Sequence, residues 1–236
     1  MTNDIISGKC LIVSPHLDDA VLSCGQLLAC HPDSVVVTVF AGVPGGDRLT
    51  WWDAACGFRA GAEAVRARRE EDRAALAVLG ARPLWLDFQD RQYRSAATRD
   101  REEDGDVAAA LDTVIRREMP HTVCIPAGLA HPDHVRTHRA MMLLRPSHPD
   151  KHWLMYEDAL YRRRWGRLRR RLQDLRRQGV PAAPVVPSGT GPMHVKRRAL
   201  ACYGSQLRAL AWLPRGYADA YAPERYWRLG GEENIA

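Results

Sequence analysis

The sequence predicts an α/β fold in which a mostly parallel sheet is covered by helices on both faces. Short apolar runs rich in β-branched residues alternate along the chain with longer amphipathic patterns. The run SVVVTVFAG (34–42) has no polar alternation, which is typical of a strand buried on both faces. Neither an internal repeat nor a linker-like segment interrupts this pattern, so we expect one domain over 1–236.

Five strands are predicted in chain order. Each is a short apolar run that favours a strand over a helix. They are CLIV (10–13), SVVVTVFAG (34–42), PLWLDF (83–88), HTVCIPAG (121–128) and HWLMYED (152–158).

Helices are predicted between and after these strands. Their apolar residues recur at helical spacing, and Gly80 and Pro120 are typical termination signals for two of them. The predicted helices are 20–31, 60–79, 106–119, one starting near Pro132, 160–178 and 194–213. Loops are predicted at 43–58, 89–104 and 181–192, followed by an irregular tail after 213. We expect these three loops to overhang a pocket.

Composition limits the class of protein. The chain has 236 residues, 46% of them hydrophobic, which is enough for a sizeable core. No apolar run approaches the roughly 18 residues of a membrane span, and the first residues do not resemble a signal peptide. Six cysteines without C-x-x-C spacing predict buried, reduced thiols. We therefore expect a cytoplasmic protein without a membrane partner.

The first motif, SPHLDD (14–19), lies where a predicted strand gives way to a helix. His16, Asp18 and Asp19 fall at this turn. Ligands of open α/β sheets bind at the carboxyl ends of strands, and histidine with carboxylate suits zinc or a similar divalent ion. The alternative is that one of the two aspartates only caps the helix.

The second motif, HPDH (131–134), also follows a strand and opens a helix, so we expect it at the same sheet edge. His-Pro-Asp recurs at 31–33 and 148–150, but those copies follow helical patterns and predict ordinary turns. His138 lies four residues after His134 on the same helical face. It is a possible further ligand, although a packing or hydrogen-bonding role is favoured.

The two motifs, SPHLDDAVLSCG followed by HPDHVRTH, resemble those of the LmbE-like, or GlcNAc-PI de-N-acetylase (PIG-L), family of metal-dependent deacetylases. Weaker similarities lie within 68–80, 156–158 and 196–206. The resemblance implies a Rossmann-like sheet and removal of acetyl groups from amino sugars, usually with zinc. Leu17 and Ala20 depart from the common PHPDDE pattern at positions that are not ligands, so substrate preference is the property affected.

The resemblance also implies roles for individual residues. The ligands of one divalent ion, expected to be zinc, would be His16, Asp19 and His134. Asp18 matches the general base that activates the attacking water. His131 matches the residue that stabilises the oxyanion or protonates the leaving amine, and Asp133 would orient it.

Substrate contacts are expected from four side chains. Arg68 matches a family position that often contacts substrate hydroxyls, and aromatic faces pack well against apolar sugar faces. The aromatic candidates are Trp51, Trp52 and Tyr93. The partner is thus expected to be an N-acetylated small molecule.

The predicted function is that of a zinc-dependent hydrolase that removes the N-acetyl group of an amino-sugar-containing small molecule. One alternative is an amidase acting on a thiol conjugate or on an antibiotic biosynthetic intermediate. Another is a basic nucleic-acid-binding protein, because 162–178 is rich in arginine and the net charge is +6. An apolar stripe at Trp165, Leu168, Leu172 and Leu175 favours an ordinary amphipathic helix with a solvated face, so nucleic acid is not expected.

Overall fold

One seven-stranded sheet forms the centre of the computed structural model, which describes residues 8–46, 48–95, 104–187, 189, 191–213 and 215–230. The strands are β1 (Cys10–Ser14), β2 (Val35–Thr38), β3 (Arg82–Trp85), β4 (Thr122–Pro126), β5 (His152–Tyr156), β6 (Ala182–Val185) and β7 (Tyr226–Leu229). Their order is β3-β2-β1-β4-β5-β7-β6. The first five are parallel, and β7 and β6 extend one edge in antiparallel pairing.

Helices cover both faces of this sheet. They are α1 (Asp19–Cys30), α2 (Trp51–Cys56), α3 (Gly61–Val78), α4 (Asp104–Glu118), α5 (Pro132–Leu144), α6 (Arg167–Arg177), α7 (Met193–Ala201) and α8 (Gly204–Leu210). Alternate side chains of β1 enter two separate cores, since Ile12 packs with α1, α3 and α7 while Val13 packs with α4, α5 and α6. The predicted α/β fold with a mostly parallel, doubly covered sheet is therefore confirmed.

The order of the strands reverses between β1 and β4. β1 pairs with β2 on one side and with β4 on the other, with Ile12 opposite Cys124. The carboxyl ends of both strands therefore point to the same edge, and the two loops that follow diverge over opposite faces. Such a switch point leaves a crevice in which open α/β sheets bind ligands.

Several predicted loops contain regular structure. The segment 43–58 includes α2, because Thr50 and Asp53 form a capping box that starts a helix there. The segment 181–192 contains β6, where Pro184 is tolerated because the strand lies at the sheet edge. The supposedly irregular tail contains β7, which inserts between β5 and β6.

Two predicted helices also differ from the structure. The expected helix 194–213 is two helices, α7 and α8, separated at Cys202 and Tyr203. The expected helix 160–178 begins only at Arg167, after Gly166 in the left-handed conformation. Trp165 therefore precedes the helix and is 99% exposed, so the predicted apolar stripe is reduced to Leu168, Leu172 and Leu175.

The described cysteines are free, as expected, and four of the six are buried. Within the part of the chain that the structure describes, no helix combines the length and the apolar character that crossing a bilayer requires.

Helix α1 is broken at Cys24, whose φ of −132° is not helical. The groups freed by the break are bound by a buried ion pair. The carboxylate of Glu224 accepts hydrogen bonds from the backbone N–H groups of Gln26 (2.8 Å) and Leu27 (3.1 Å). The fully buried Lys196 donates to the carbonyl of Leu22 (2.9 Å) and to Glu224 (2.7 Å). The Lys196–Glu224 pair thus supplies hydrogen-bond partners to backbone groups on both sides of the break in α1.

We predict that Lys196→Met destabilises the protein by roughly 3–5 kcal/mol, because it leaves a buried carboxylate without its cation and the Leu22 carbonyl without a donor. Urea unfolding followed by circular dichroism measures the change. The control is Arg177→Gln, which breaks an exposed pair with Asp174 (3.2 Å) and should cost less than about 1 kcal/mol. Equal stability of the two variants would contradict the structural role of the buried pair.

Candidate functional site

The turn after β1 is held rigid by its own side chains. Ser14 Oγ donates to the carbonyl of His16 (2.7 Å) and accepts from the backbone N–H of Ala20 (3.0 Å). The backbone N–H of His16 donates to Asp19 Oδ2 (3.0 Å). These bonds, all within 14–20, fix His16 and Asp19 relative to each other.

The turn after β4 is shaped by a glycine. Gly128 has φ of +68°, and a Cβ there would lie 2.9 Å from the backbone oxygen of His134. A larger residue would therefore be strained twice, by its conformation and by the contact. The turn delivers His131 and Pro132 to the start of α5, with His131 as the capping residue.

Three imidazoles meet where the two turns face each other. The ring centroids of His16 and His134 are 5.3 Å apart, and that of His131 lies 4.9 Å from His16 and 5.6 Å from His134. Asp19 Oδ2 is 3.1 Å from both His16 Nδ1 and His134 Nε2. The residues that the sequence predicted as metal ligands are therefore in mutual contact.

The surroundings of His134 leave its Nε2 close to Asp19 but without a well-aligned hydrogen bond. Its Nδ1 lies 2.7 Å from Asp158 Oδ1, and Asp158 is itself held by the backbone N–H of Leu129 (2.9 Å). When Nδ1 carries the proton, Nε2 presents a lone pair toward Asp19. Nε2 is buried without a hydrogen bond among the described residues. Two lone pairs facing each other are repulsive unless a cation lies between them.

The pKa shifts of these side chains also indicate that the cluster favours an added positive charge. Burial alone would lower the pKa of His134, but Asp19 and Asp158 raise it to about 9. Neighbouring carboxylates likewise outweigh burial at His16 and raise its pKa well above the ordinary value. Burial would raise the pKa of Asp19, yet His134 and His16 hold it well below its usual range. A divalent ion fits this donor set, because it supplies the charge without protons.

Two groups of three donors could hold an ion in the part of the chain that the structure describes. One comprises His16, His131 and His134, and the other His16, Asp90 and Asp133, with ligand atoms within 4.8 Å of one another in each. Both groups share His16, and neither includes Asp19. The candidate donors of both groups thus converge on His16, in the turn after β1.

Asp18 lies beside this cluster, in the wall of the cavity. It is only 9% exposed, and its carboxylate has no hydrogen bond among the described residues. Burial, followed by the negative charge of Asp19, raises the pKa of Asp18 to about 7. A carboxylate with this affinity for protons, open to a cavity, is suited to accept one from water.

His131 is oriented differently from the expectation. The backbone N–H of Asp133 donates to His131 Nδ1 (3.2 Å), so a neutral ring carries its proton on Nε2. Burial and the nearby His16 lower the pKa of His131 to about 4. The Asp133 carboxylate, which was expected to orient His131, instead lies 3.2 Å from His16 Nε2 and accepts from Arg94 (2.7 Å) and the Arg91 N–H (3.0 Å).

A cavity of about 730 Å³ opens onto the cluster. Of the predicted substrate contacts, Trp51, Trp52 and Arg68 line it, and Arg68 is buried with its Nε unbonded. Tyr93 is not in the cavity wall, because its buried hydroxyl donates to Asp53 (2.7 Å).

The expected loops contribute unequally to the cavity. The segment 89–104 supplies Asp90, Arg91 and Gln92 to the wall, while its residues 96–103 lie outside the described part of the chain. None of the described residues of 181–192 lines the cavity, and Gly191 packs against Gln26 of α1 instead.

Sequence reasoning missed Asp158 and Tyr161. Asp158 follows β5, the strand next to β4, so its position at a third strand end was an available signal. The ring of Tyr161 stands edge-on to His134, with centroids 5.0 Å apart, and no pattern indicated it. His138 has the favoured hydrogen-bonding role, since its Nδ1 lies 2.9 Å from the carbonyl of Pro126.

Comparison with known proteins agrees with this geometry. Residues 11–144 match the profile of the PIG-L family, GlcNAc-PI de-N-acetylase. The chain is 32% identical over 216 residues to a 2'-N-acetylparomamine deacetylase of Streptomyces fradiae. The aligned region covers 84% of this chain and 74% of the relative.

Solved structures of several deacetylases are also similar to this chain. A deacetylase of the teicoplanin biosynthetic pathway, crystallised as a triple mutant, superposes with a TM-score of 0.77 at 26% identity, covering 96% of this chain and all of the other. A zinc-inhibited form of teicoplanin deacetylase gives 0.75 at 25% identity with the same coverage. The deacetylase of A40926 pseudoaglycone gives 0.73 at 25% identity over 94% of this chain and 96% of that one.

We predict that the purified protein binds one divalent ion per chain, measured by elemental analysis and by titration calorimetry of the chelator-treated protein. Asp158→Asn should weaken this affinity about 10- to 100-fold, because the carboxylate fixes the ring of His134. Asp112→Asn is the matched control, since Asp112 pairs with His148 (2.7 Å) outside the cavity wall. Equal affinities of both variants and the parent would refute the supporting role of Asp158.

Proposed function

Because the chain belongs to the GlcNAc-PI de-N-acetylase (PIG-L) family of metal-dependent N-deacetylases, we propose that it hydrolyses the N-acetyl group of an amino-sugar-containing small molecule. The observation that carries the proposal is the position of Asp19 Oδ2, 3.1 Å from a nitrogen of His16 and of His134. This contact lies beside Asp18 in a cavity large enough for a sugar conjugate.

The proposed metal ligands are His16, Asp19 and His134, and the proposed ion is zinc. The buried Nε2 of His134, which has no hydrogen bond among the described residues and lies 3.1 Å from Asp19 Oδ2, supports this choice over the group of His16, Asp90 and Asp133. When bound, a divalent ion polarises a carbonyl oxygen and lowers the pKa of water from 15.7 toward about 7. Asp158 holds the His134 ring, and Asp133 holds that of His16.

Asp18 is the proposed general base. Its carboxylate is adjacent in sequence to Asp19 and reaches the cavity, yet no hydrogen bond to a described residue competes for its oxygens. It accepts a proton from the attacking water as the carbon–oxygen bond forms. The amine must be protonated before it leaves, and Asp18 then holds the proton that this step needs.

His131 is the proposed oxyanion stabiliser. Its Nδ1 accepts a hydrogen bond from the Asp133 backbone, which supports a neutral ring with the proton on Nε2. The lowered pKa of His131 favours the same form. Of the two roles predicted from the sequence, hydrogen-bond donation to the developing oxyanion therefore has more support than proton delivery.

The proposed substrate is an N-acetylated amino sugar joined to a larger small-molecule part. The similar enzymes are named for 2'-N-acetylparomamine, teicoplanin and A40926 pseudoaglycone, which favours an antibiotic biosynthetic intermediate as the conjugate. The exposed indole of Trp51 and the half-buried one of Trp52, anchored to Gln206 (3.1 Å), offer faces to such a molecule. We further propose that 1–236 acts as one catalytic domain in the cytoplasm.

We predict that Asp18→Asn keeps the metal but loses about 10²- to 10⁴-fold in turnover, the usual worth of general-base catalysis. Asp19→Ala and His134→Ala should lose both metal and activity. Metal content and acetate release are measured on the same preparations. Asp150→Asn, at an exposed site paired with Lys151, is the control for removing a carboxylate. Full activity of Asp18→Asn would require another base.

We predict chelator-sensitive release of acetate from at least one member of a panel of N-acetylglucosamine conjugates, N-acetylated antibiotic precursors and N-acetyl thiol conjugates. Re-addition of zinc should restore the rate. Release only from a thiol conjugate or another non-sugar amide would replace the proposed substrate with the amidase alternative. Release that is insensitive to the chelator would contradict the metal assignment.

A further inference from the structure

The charged side chains of the cavity wall divide into two regions. Near the imidazole cluster the wall carries Asp18, Asp19 and Asp90, with the buried Arg68 among them. The remaining acid of the wall, Asp219, is already paired with Arg163 (2.6 Å). The rest of the charged wall is formed by arginines alone. The negative charges of the inner region thus favour a cation, and the positive charges of the outer region favour an anion.

Three of these arginines have no acidic partner. No carboxylate of the described residues lies within 4 Å of the guanidinium groups of Arg91, Arg164 or Arg215, although all three line the cavity. Arg164 and Arg215 are exposed and Arg91 is half-buried. We refer to Arg91, Arg164 and Arg215 as the cationic rim.

The cationic rim lies close to the reacting centre. The guanidinium of Arg164 is 5.9 Å from the centroid of the Tyr161 ring, which also contacts the imidazoles of His134 (5.0 Å) and His131 (6.4 Å). One aromatic ring therefore separates Arg164 from the cluster. The backbone N–H of Arg91 binds the Asp133 carboxylate, so this residue also borders the cluster. A group attached to a sugar in the cavity is within reach of both.

Apolar surface accompanies these charges at the mouth. Trp51, which lines the cavity, is 74% exposed. An exposed indole in the same wall as arginines without acidic partners favours an anionic group on an apolar body over a polycation.

We propose that the group attached to the amino sugar carries an oxyanion, a carboxylate or a phosphate, that binds the cationic rim, and that cationic conjugates, including 2'-N-acetylparomamine for which one relative is named, are disfavoured. This inference rests on the proposed N-deacetylase function and adds the charge of the substrate to it. A positive ion in the inner region would strengthen the same preference. The opposite charge pattern, acids without partners at the mouth, would have selected a polyamine.

A matched series of glycosides tests the inference with only the charge varied. The compounds are the phenyl, 4-carboxyphenyl, 4-phosphonooxyphenyl and 4-aminomethylphenyl N-acetylglucosaminides, in both anomers, with acetate release as the readout. Ion pairs with exposed arginines are individually weak, so we expect kcat/KM for an anionic glycoside to exceed that of the phenyl glycoside about five- to tenfold. The aminomethyl compound should fall below the phenyl one, and added salt should shrink the differences.

Variants show whether the cationic rim causes the preference. In Arg164→Gln/Arg215→Gln the ratio of anionic to phenyl kcat/KM should fall toward one, and Arg164→Glu should favour the aminomethyl compound. Arg176→Gln, an exposed arginine of α6 outside the cavity wall, is the control that should keep the parent ratio. The carboxylate and phosphate arms distinguish which oxyanion fits better.

The outcomes separate this inference from the proposed function. A parent ratio at or below one, with the phenyl glycoside hydrolysed, overturns the inference and leaves the N-deacetylase proposal standing. A high ratio that the double variant retains overturns the assignment to these arginines. No acetate from any glycoside, with release from a non-sugar amide, overturns both.

Discussion

The parallel pairing of β1 with β4 is the constraint on which the rest of the site depends. The two segments that supply the imidazoles and carboxylates are 117 positions apart between His16 and Asp133, yet side by side in the sheet. The strand order reverses between β1 and β4, which opens a crevice, and the turns after these two strands form the floor of that crevice. Hydrogen bonds of Ser14 and the left-handed Gly128 then set the two turns to the precision that coordination chemistry requires.

The arginine-rich segment 162–178 supports this floor rather than acting as an unattached basic surface. Arg171 donates to the carbonyls of Ala127 (2.7 Å) and Gly128 (3.1 Å), which precede the second motif. Arg162 donates to the carbonyls of Pro223 (2.8 Å) and Asp219 (2.5 Å), which ties the segment to the chain just before β7. Several of its charges thus have structural partners, which weakens the case for nucleic-acid binding further.

The local sequence pattern was sufficient to predict the strongly periodic elements of the fold and the positions of both motifs. The continuous apolar run that forms β2 and the long amphipathic α3 were found within a few residues, and both motifs fell at strand ends as expected. Strands β6 and β7 were not found, because β6 is a short strand containing Pro184 that is stabilised by pairing with β7 and carries no signal of its own. The cationic rim was missed for a similar reason, because its proximity to the cluster is a property of the assembled fold. Asp158 was missed although its position after a third strand was an available signal.

The ion pair between Lys196 and Glu224 has a consequence for how the molecule is made. The helix that begins with Asp19 receives its internal cap from a residue 198 positions after Gln26. A growing chain emerges from the ribosome with this helix early and with Glu224 late, and long-range contacts of this kind form slowly. The second half of this helix therefore lacks the acceptor that Glu224 provides until residue 224 has been synthesised.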